Sequence, residues 1–312
     1  MSTRKGHISV NTSDIFPIIK KWLYSEHDIF VRELTSNACD AINKRATLSR
    51  TKGLETPNGA VTVSIDKEKK TLTIKDNGLG MSESEVEKYI AQLAFSGAEE
   101  FVAKMKDAGQ ETDEEIIGKF GLGFYSAFMV ADKVEVETLS MEDGATPTKW
   151  TCDGNTDYEF SASTKTDVGT EITLHINEES KDFLENWKTR ETLTNYSRFM
   201  PYPIELKDLN QIAATIAENE KAEKEEDKKA ISADIINETE PLWKKDPASL
   251  TDEDYKEFYK KLYPADPEPL FWLHLNVDHP FTLQGILFFP KLNPTKPVND
   301  NNISLFCKQV FV

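Results

Sequence analysis

The chain has 312 residues, 38% of them hydrophobic and 29% charged, with a formal net charge of −17. That length supports two domains with cores of their own, and the acidic balance argues against a general nucleic-acid or membrane-surface binder while leaving room for a local nucleotide pocket. Cys39, Cys152 and Cys307 are far apart and form no CxxC, and no apolar run reaches membrane-spanning length, so a reducing, cytoplasmic location is expected, without a disulfide framework, a zinc site or a transmembrane segment.

The first strong element is "VRELTSNACDA" (31–41). Glu33, Asn37 and Asp40 fall at i, i+4 and i+7 of a helix and share one face, which Lys44 continues; Val31, Leu34, Ala38, Ala41 and Ile42 share another that suits a core. Two carboxylates and an amide in a stripe read either as a solvated face with an Asp40–Lys44 pair or as the floor of a site. "GAVTVSIDKEKKTLTIKDNG" (59–78) alternates as a β-hairpin, with Val61, Val63, Ile65, Leu72 and Ile74 on its buried side and Asp76 at a strand end before a glycine-rich turn. Ser82 and Glu85 form a capping box opening a helix expected to run through Leu93. "FYSAFMVA" (124–131) reads as an apolar helix, 132–140 and 169–176 as strands, and 181–200 as an amphipathic helix stopped by the prolines of "PYPI".

A boundary follows. Residues 217–230 carry ten charges in fourteen and have almost nothing to bury, as expected of a solvated linker, disordered or a bare helix. "PLW" (241–243), the helix-like "TDEDYKEFYKKLY" (251–263), "PLFWLHLNV" and "GILFFPK" then suggest a second α+β domain. The last run, "ISLFCKQVFV" (303–312), is strand-like without a stop signal, and the chain is expected to be a truncated one.

Three glycine-bearing stretches carry chemistry. In "DNGLGM" (76–81), a carboxylate at a strand end precedes Gly78 and Gly80, which let backbone approach a flat ligand; an aspartate there accepts from an exocyclic amine such as that of adenine, although Asn-Gly is equally a plain turn signal. "GKFGLGFYS" (118–126) places Gly118, Gly121 and Gly123 in a loop whose N–H groups are suited to cradle phosphates; it lacks the Lys-Ser/Thr of a P-loop and the strand–loop–helix context of a Rossmann fingerprint. "FSGAEEF" (95–101) carries Ser96 and Gly97, and the polar stretch from there to Gly118 has the character of a lid over a ligand.

Taken together, "RELTSNACDA", "DNGLGM", "FSGAEEF", "GKFGLGFYSAFMVADKV" and "GTEITLHI", then "FMPYPIEL", the charged linker, "INETEPLWKKDPASLTDEDYKEFYK" and "GILFFPK", resemble the heat-shock protein 90 chaperones in order and spacing, over essentially the whole chain. The nearest form is bacterial. The first motifs alone mark the wider ATPase superfamily shared with type II topoisomerases, MutL and histidine kinases; the lid, linker and "NETEPLW" segment select the chaperones.

The resemblance implies an α+β architecture: a two-layer α/β sandwich ATPase domain over 1–212 with a lid at about 94–123, a charged linker over 213–233, and the beginning of a middle domain over 234–312. It also implies ATP and ADP as ligands, with Mg²⁺. Glu33 resembles the general base for the attacking water, Asn37 the Mg²⁺-holding amide, and Asp76 the reader of the adenine amine, assisted by Thr170. By the same resemblance Asp40 is expected near adenine or ribose, and Gly80 and Met81 are expected to wall the base. The resemblance also puts Ser96 and Gly97 at the lid hinge and implies that Gly118, Gly121, Gly123 and Phe124 wrap the phosphates. Phe95, Ala98, Gln92 and Tyr89 depart from residues frequent in relatives, which puts individual lid-hinge contacts in doubt.

The implied activity is an ATP-driven clamp on partly folded clients, homodimeric at full length. A γ-phosphate arginine and a dimerising domain lie beyond Val312 in the family, so this chain is expected to be monomeric with weak turnover. A nucleotide-gated binding module without turnover is the main alternative, and Glu33 argues against it. A histidine kinase would need a phosphoacceptor histidine, for which none of the five here qualifies, and a topoisomerase a basic DNA-facing surface, against the charge of −17.

Overall fold

A computed structural model describes residues 27–92, 123–154, 157–221, 228–277, 279, 283–291, 306–307 and 309–311. Two compact units divide the chain, Met1–Asn237 with Lys308–Val310, and Glu238–Cys307 with Phe311–Val312.

The first unit is built on helix α1 (Ile29–Lys52), uninterrupted by proline and ended by Gly53, whose left-handed φ of +64° turns its N–H back to Arg50 O. Its apolar stripe, Phe30, Val31, Leu34, Ala38 and Ile42, is buried as the spacing requires. The sheet is seven-stranded: β1 (Val61–Asp66), β2 (Thr71–Asp76), β3 (Ala131–Leu139), β4 (Thr148–Cys152), β5 (Tyr158–Ala162), β6 (Gly169–Ile176) and β7 (Ile204–Asp208), in the order β5-β4-β3-β6-β2-β1-β7. All neighbours are antiparallel except β1 and β7. Leu72 and Ile74, Val134 and Val136, and Leu174 and Ile176 turn into the core beneath α1. On the opposite face Thr73 and Thr173 meet at 3.1 Å, and Glu135 takes Lys133 at 2.5 Å and Lys149 at 2.7 Å. Although partial burial would raise the Glu135 carboxyl, those two ammoniums hold it down at about 2. One apolar and one polar face make this the expected two-layer sandwich.

Three helices differ from the sequence expectation. The helix capped by Ser82 and Glu85, α2 (Glu83–Tyr89), stops at Tyr89, short of Leu93, which lies outside the described residues. "FYSAFMVA" forms a 3₁₀ segment (Gly123–Met129) and its last residue already belongs to β3. All six side chains from Phe124 to Met129 are buried, so the segment has no solvent-facing side. The helix expected over 181–200 is broken: Asn177 caps a 3₁₀ segment (Glu178–Leu184), Glu185 is extended, and α3 (Asn186–Ser197) begins afterwards. The break seats Phe183 edge-on against Phe30, centroids 5.0 Å apart, and its carbonyl takes the Thr189 hydroxyl at 2.6 Å.

β7 is followed by α4 (Leu209–Lys221), which carries the chain into the charged region. Residues 234–236 then return as a short antiparallel strap on the open edge of β7, through Leu206 N–H to Asp234 O and Ile236 N–H to Ile204 O, both 2.9 Å. Arg190 pairs with Asp234. Asn237 closes the strap: its Oδ1 accepts from Ile204 N, and its Nδ2 donates to Met200 O and Tyr202 O. Asn237→Ala strands three part-buried backbone groups and should cost about 1–3 kcal/mol, read as a lower midpoint in urea at unchanged slope.

The second unit pairs α5 (Asp252–Leu262), opened by the Thr251–Asp254 capping box, with the hairpin β8 (Pro269–Val277) and β9 (Leu283–Pro290). Tyr255 stacks on Trp272 at 5.1 Å, and its hydroxyl lies 2.8 Å from His274 Nδ1. Phe271, Leu273, Leu287 and Phe289 on the other side of the hairpin are exposed.

Candidate functional site

At one end of the core-facing side of the sheet, the apolar alternation gives way to polar residues in three adjacent strands. Leu72 and Ile74 lead to Asp76, Leu174 and Ile172 to Thr170, and Val136 to Thr138. Thr138 and Thr170 are register partners, and Asp76 lies one step beyond the Lys75–Glu171 pair. A polar row across β3, β6 and β2 therefore closes the core beneath α1, which packs on β2. All three residues are buried.

Asp76 is the most constrained. Its Oδ1 accepts from Gly78 N at 2.8 Å, and the Thr170 N–H also donates to the carboxyl. Burial outweighs these bonds and the nearby Lys165 and Arg45 charges, and pushes the carboxyl up to about 7. A carboxyl at a strand end, with two donors behind it, is suited to take a hydrogen bond from a ligand.

The turn after Asp76 is tied to its neighbours by backbone. Leu79 N–H donates to Ala41 O of α1 at 3.0 Å, Met141 N–H to Leu79 O at 2.9 Å, and Arg45 Nη1 to Asn77 O at 2.6 Å. Gly80 has a φ of +67°, and a Cβ there would meet Leu139 O at 1.8 Å, so only glycine lets the turn lie against the end of β3. Met81 N–H reaches Thr138 Oγ1 at 2.8 Å.

On α1, Glu33 and Asn37 are half-buried and Asp40 is buried. Arg32 holds one Glu33 oxygen through Nη2 at 2.7 Å and Nε at 3.2 Å. The other Glu33 oxygen borders Gly123, where an added Cβ would stand 2.3 Å from it, so the end of the glycine loop closes on this carboxylate. Lys44 is pulled below its ordinary value by burial, with the Asp40 and Glu85 carboxylates opposing. Phe124 buries its ring among Tyr125, Phe128 and Trp150, which leaves its backbone for any loop contact. Tyr89 is half-buried and Gln92 exposed.

Fold and turn contacts thus gather Asp76, Gly80, Met81 and Thr170 on one side and tie their turn to α1, which carries Asn37 and Asp40; Gly123 joins Glu33 at the same helix. Ser96, Gly97, Gly118 and Gly121 lie outside the described residues. Thr138 has no counterpart among the residues singled out from the sequence, where it reads as an ordinary strand threonine. The one available signal was a polar residue in the inward register of Val134 and Val136.

Among known families, the one described as "Histidine kinase-, DNA gyrase B-, and HSP90-like ATPase" matches residues 24–185, and "Hsp90 protein" matches 213–312. "Chaperone protein HtpG" of Bacteroides thetaiotaomicron is 49% identical over 315 residues, covering 99% of this chain and 43% of that protein. Porphyromonas gingivalis HtpG is 48% identical over 99% of the chain and 44% of its own length, and that of Escherichia coli O1:K1 / APEC 37% identical over 93% and 45%. The chain spans less than half the length of these relatives.

Proposed function

The chain belongs to the heat-shock protein 90 family, and on that premise we propose that it binds Mg-ATP and ADP at the polar end of its sheet and serves a chaperone that couples hydrolysis to closure on partly folded clients. The supporting observation is the Asp76–Thr170–Thr138 row with the turn 76–81 laced to α1. In this reading Asp76 takes the adenine amine, Gly80 and Met81 wall the base, and Glu33 accepts a proton from the attacking water. Asn37 is the residue that would hold Mg²⁺, through its amide oxygen. Mg²⁺ favours oxygen donors and needs few from protein when phosphates are present, which suits a single protein amide oxygen such as that of Asn37. When bound, the ion would supply positive charge against the phosphates. The functional division we propose is 1–212 for nucleotide, 213–233 as linker and 234–312 as middle-domain sequence, in a cytoplasmic protein that is homodimeric at full length.

The test is calorimetry with Mg-ADP on this chain, alongside phosphate release from ATP on the chain and on a chimera joining it to the remainder of the Bacteroides relative. One-to-one binding, a monomer in sedimentation, and turnover at least ~10³-fold below the chimera are expected, an arginine finger being worth that much or more in phosphoryl transfer. Absence of ADP binding at millimolar concentration overturns the proposal; full turnover from the isolated chain would contradict the assignment of a further catalytic arginine to the rest of the protein.

A further inference from the structure

We infer that Arg45 is a positioning residue for the nucleotide: from α1 it latches the 77–79 turn to the helix, and so holds the Asp76 side of the site in register with the side that carries Glu33 and Asn37. The inference rests on the nucleotide reading of the site and adds a residue that reading does not use.

The turn lies against α1 as bare backbone. A Cβ on Gly78 would stand 2.5 Å from the Ala41 carbonyl carbon and 2.6 Å from the Ala41 Cβ, so no side chain fits between them. Two bonds fix the turn there. Ala41 O takes Leu79 N–H at 3.0 Å, and four residues further along α1 Arg45 Nη1 donates to Asn77 O at 2.6 Å, with Gly78 O at 3.5 Å. The Asn77 side chain is engaged elsewhere: its Oδ1 accepts from Ala60 N at 2.9 Å, and its Nδ2 donates to Asn58 O at 2.7 Å. Its carbonyl is the group that the turn offers to Arg45, and a charged donor makes the stronger bond to it. Asn37, Ala41 and Arg45 follow one another at steps of four on α1, and Glu33 precedes them by another four. One uninterrupted helix thus carries the latch at one end of the row and the proposed hydrolytic residues at the other.

Arg45 also acts on the carboxyl that it helps to place. The cations that reach Asp76 are Lys165, ahead of β6, and Arg45, and both favour its ionised form. Cys39 of α1 faces Asp76 as well, but burial keeps that thiol protonated, so it adds no charge. Loss of Arg45 therefore acts twice in one direction: the turn loosens, and the carboxylate loses a cation.

Arg45→Met keeps the aliphatic stem and removes the donor and the charge. In the nucleotide-free variant the Leu79 amide should exchange at least ~tenfold faster than in the wild-type chain, the equivalent of one lost hydrogen bond from a charged donor, while the Ile74 amide in β2 is unchanged. Calorimetry with Mg-ADP should show binding weakened at least ~fivefold at pH 7. The rise of ADP affinity with pH should move to higher pH, because a carboxyl deprived of a cation ionises later. Arg45→Lys, which keeps a cationic donor on a shorter arm, should fall between the two in all three measurements; if the methionine variant does not fold, the lysine variant gives the same comparison. Leu79 exchange at the wild-type rate, or ADP affinity and its pH dependence both unchanged, would overturn the inference. Equal acceleration at Leu79 and Ile74 would also overturn it and leave a residue that stabilises the fold as a whole. Failure of the wild-type chain to bind ADP would instead overturn the nucleotide reading, and the positioning role with it, even with the latch seen in exchange.

Discussion

Glu33→Ala should leave adenine-nucleotide affinity within a few-fold of wild type and lower ATP hydrolysis by ~10²–10⁴-fold in the chimera with a longer relative, the range that a positioned general base contributes. In the proposed role Glu33 would act on water and not on the nucleotide, so its loss should fall on the chemical step and not on binding. The geometry supports this division. Arg32 forks onto one Glu33 oxygen, and the other lies where Gly123 provides room beside the carboxylate, on the loop side of α1. Asp76 and the 76–81 turn, which we propose hold the base, are fastened separately, to Ala41 and to the end of β3. Phosphate release at the wild-type rate, with binding intact, would take Glu33 out of the mechanism.

Asp76→Asn should cut ADP affinity at least tenfold while making the nucleotide-free chain more stable at alkaline pH. The two effects have one cause. Burial pushes the Asp76 carboxyl from an ordinary value of 3.8 up to about 7. Because the folded state favours the neutral form, the contribution of Asp76 to stability is intact below about pH 4 and is lost as pH rises through 7. At pH 8 the folded chain carries a buried carboxylate at a cost of roughly 3–5 kcal/mol. Asparagine keeps an acceptor for Gly78 N–H and Thr170 N–H and carries no charge. The variant should melt several degrees above wild type at pH 8, with the gap narrowing toward pH 5. Its amide, however, can turn a donor toward the adenine amine, and the unmet pair weakens binding. The same titration predicts that wild-type affinity for ADP rises between pH 6 and 8, with a proton released on binding near pH 7. An Asn variant with lower stability at every pH, or with undiminished ADP affinity, would count against both halves of this account.

Much of this site was legible in sequence because its signals are local. The i, i+4, i+7 spacing of Glu33, Asn37 and Asp40 survives in α1, and Asp76 stands at a strand end before a turn that needs glycine at position 80. What was not legible depends on tertiary partners. The continuous helix expected over 181–200 gives way at Glu185 because Phe183 must reach Phe30, a residue far away in the chain. "FYSAFMVA" is apolar enough for a helix, and nothing in its local pattern distinguishes the 3₁₀ winding it adopts from an α-helix. β4 and β5 were missed because they are short outer strands, and β5 is largely exposed and shows little alternation. Thr138 was missed because its partners Met81, Gly169 and Thr170 are brought to it only by the assembled sheet.

The deciding question is where an adenine nucleotide binds. Transverse-relaxation-optimised amide spectra of the isotope-labelled chain, recorded with and without Mg-ADP, test this most directly. The predicted result is a saturable set of shifts centred on Asn37, Asp40, Asp76 to Met81 and Thr170, with the α5 and β8–β9 amides unmoved. Saturable shifts confined to other residues, with the Asp76–Met81 turn and Thr170 unchanged, would contradict it.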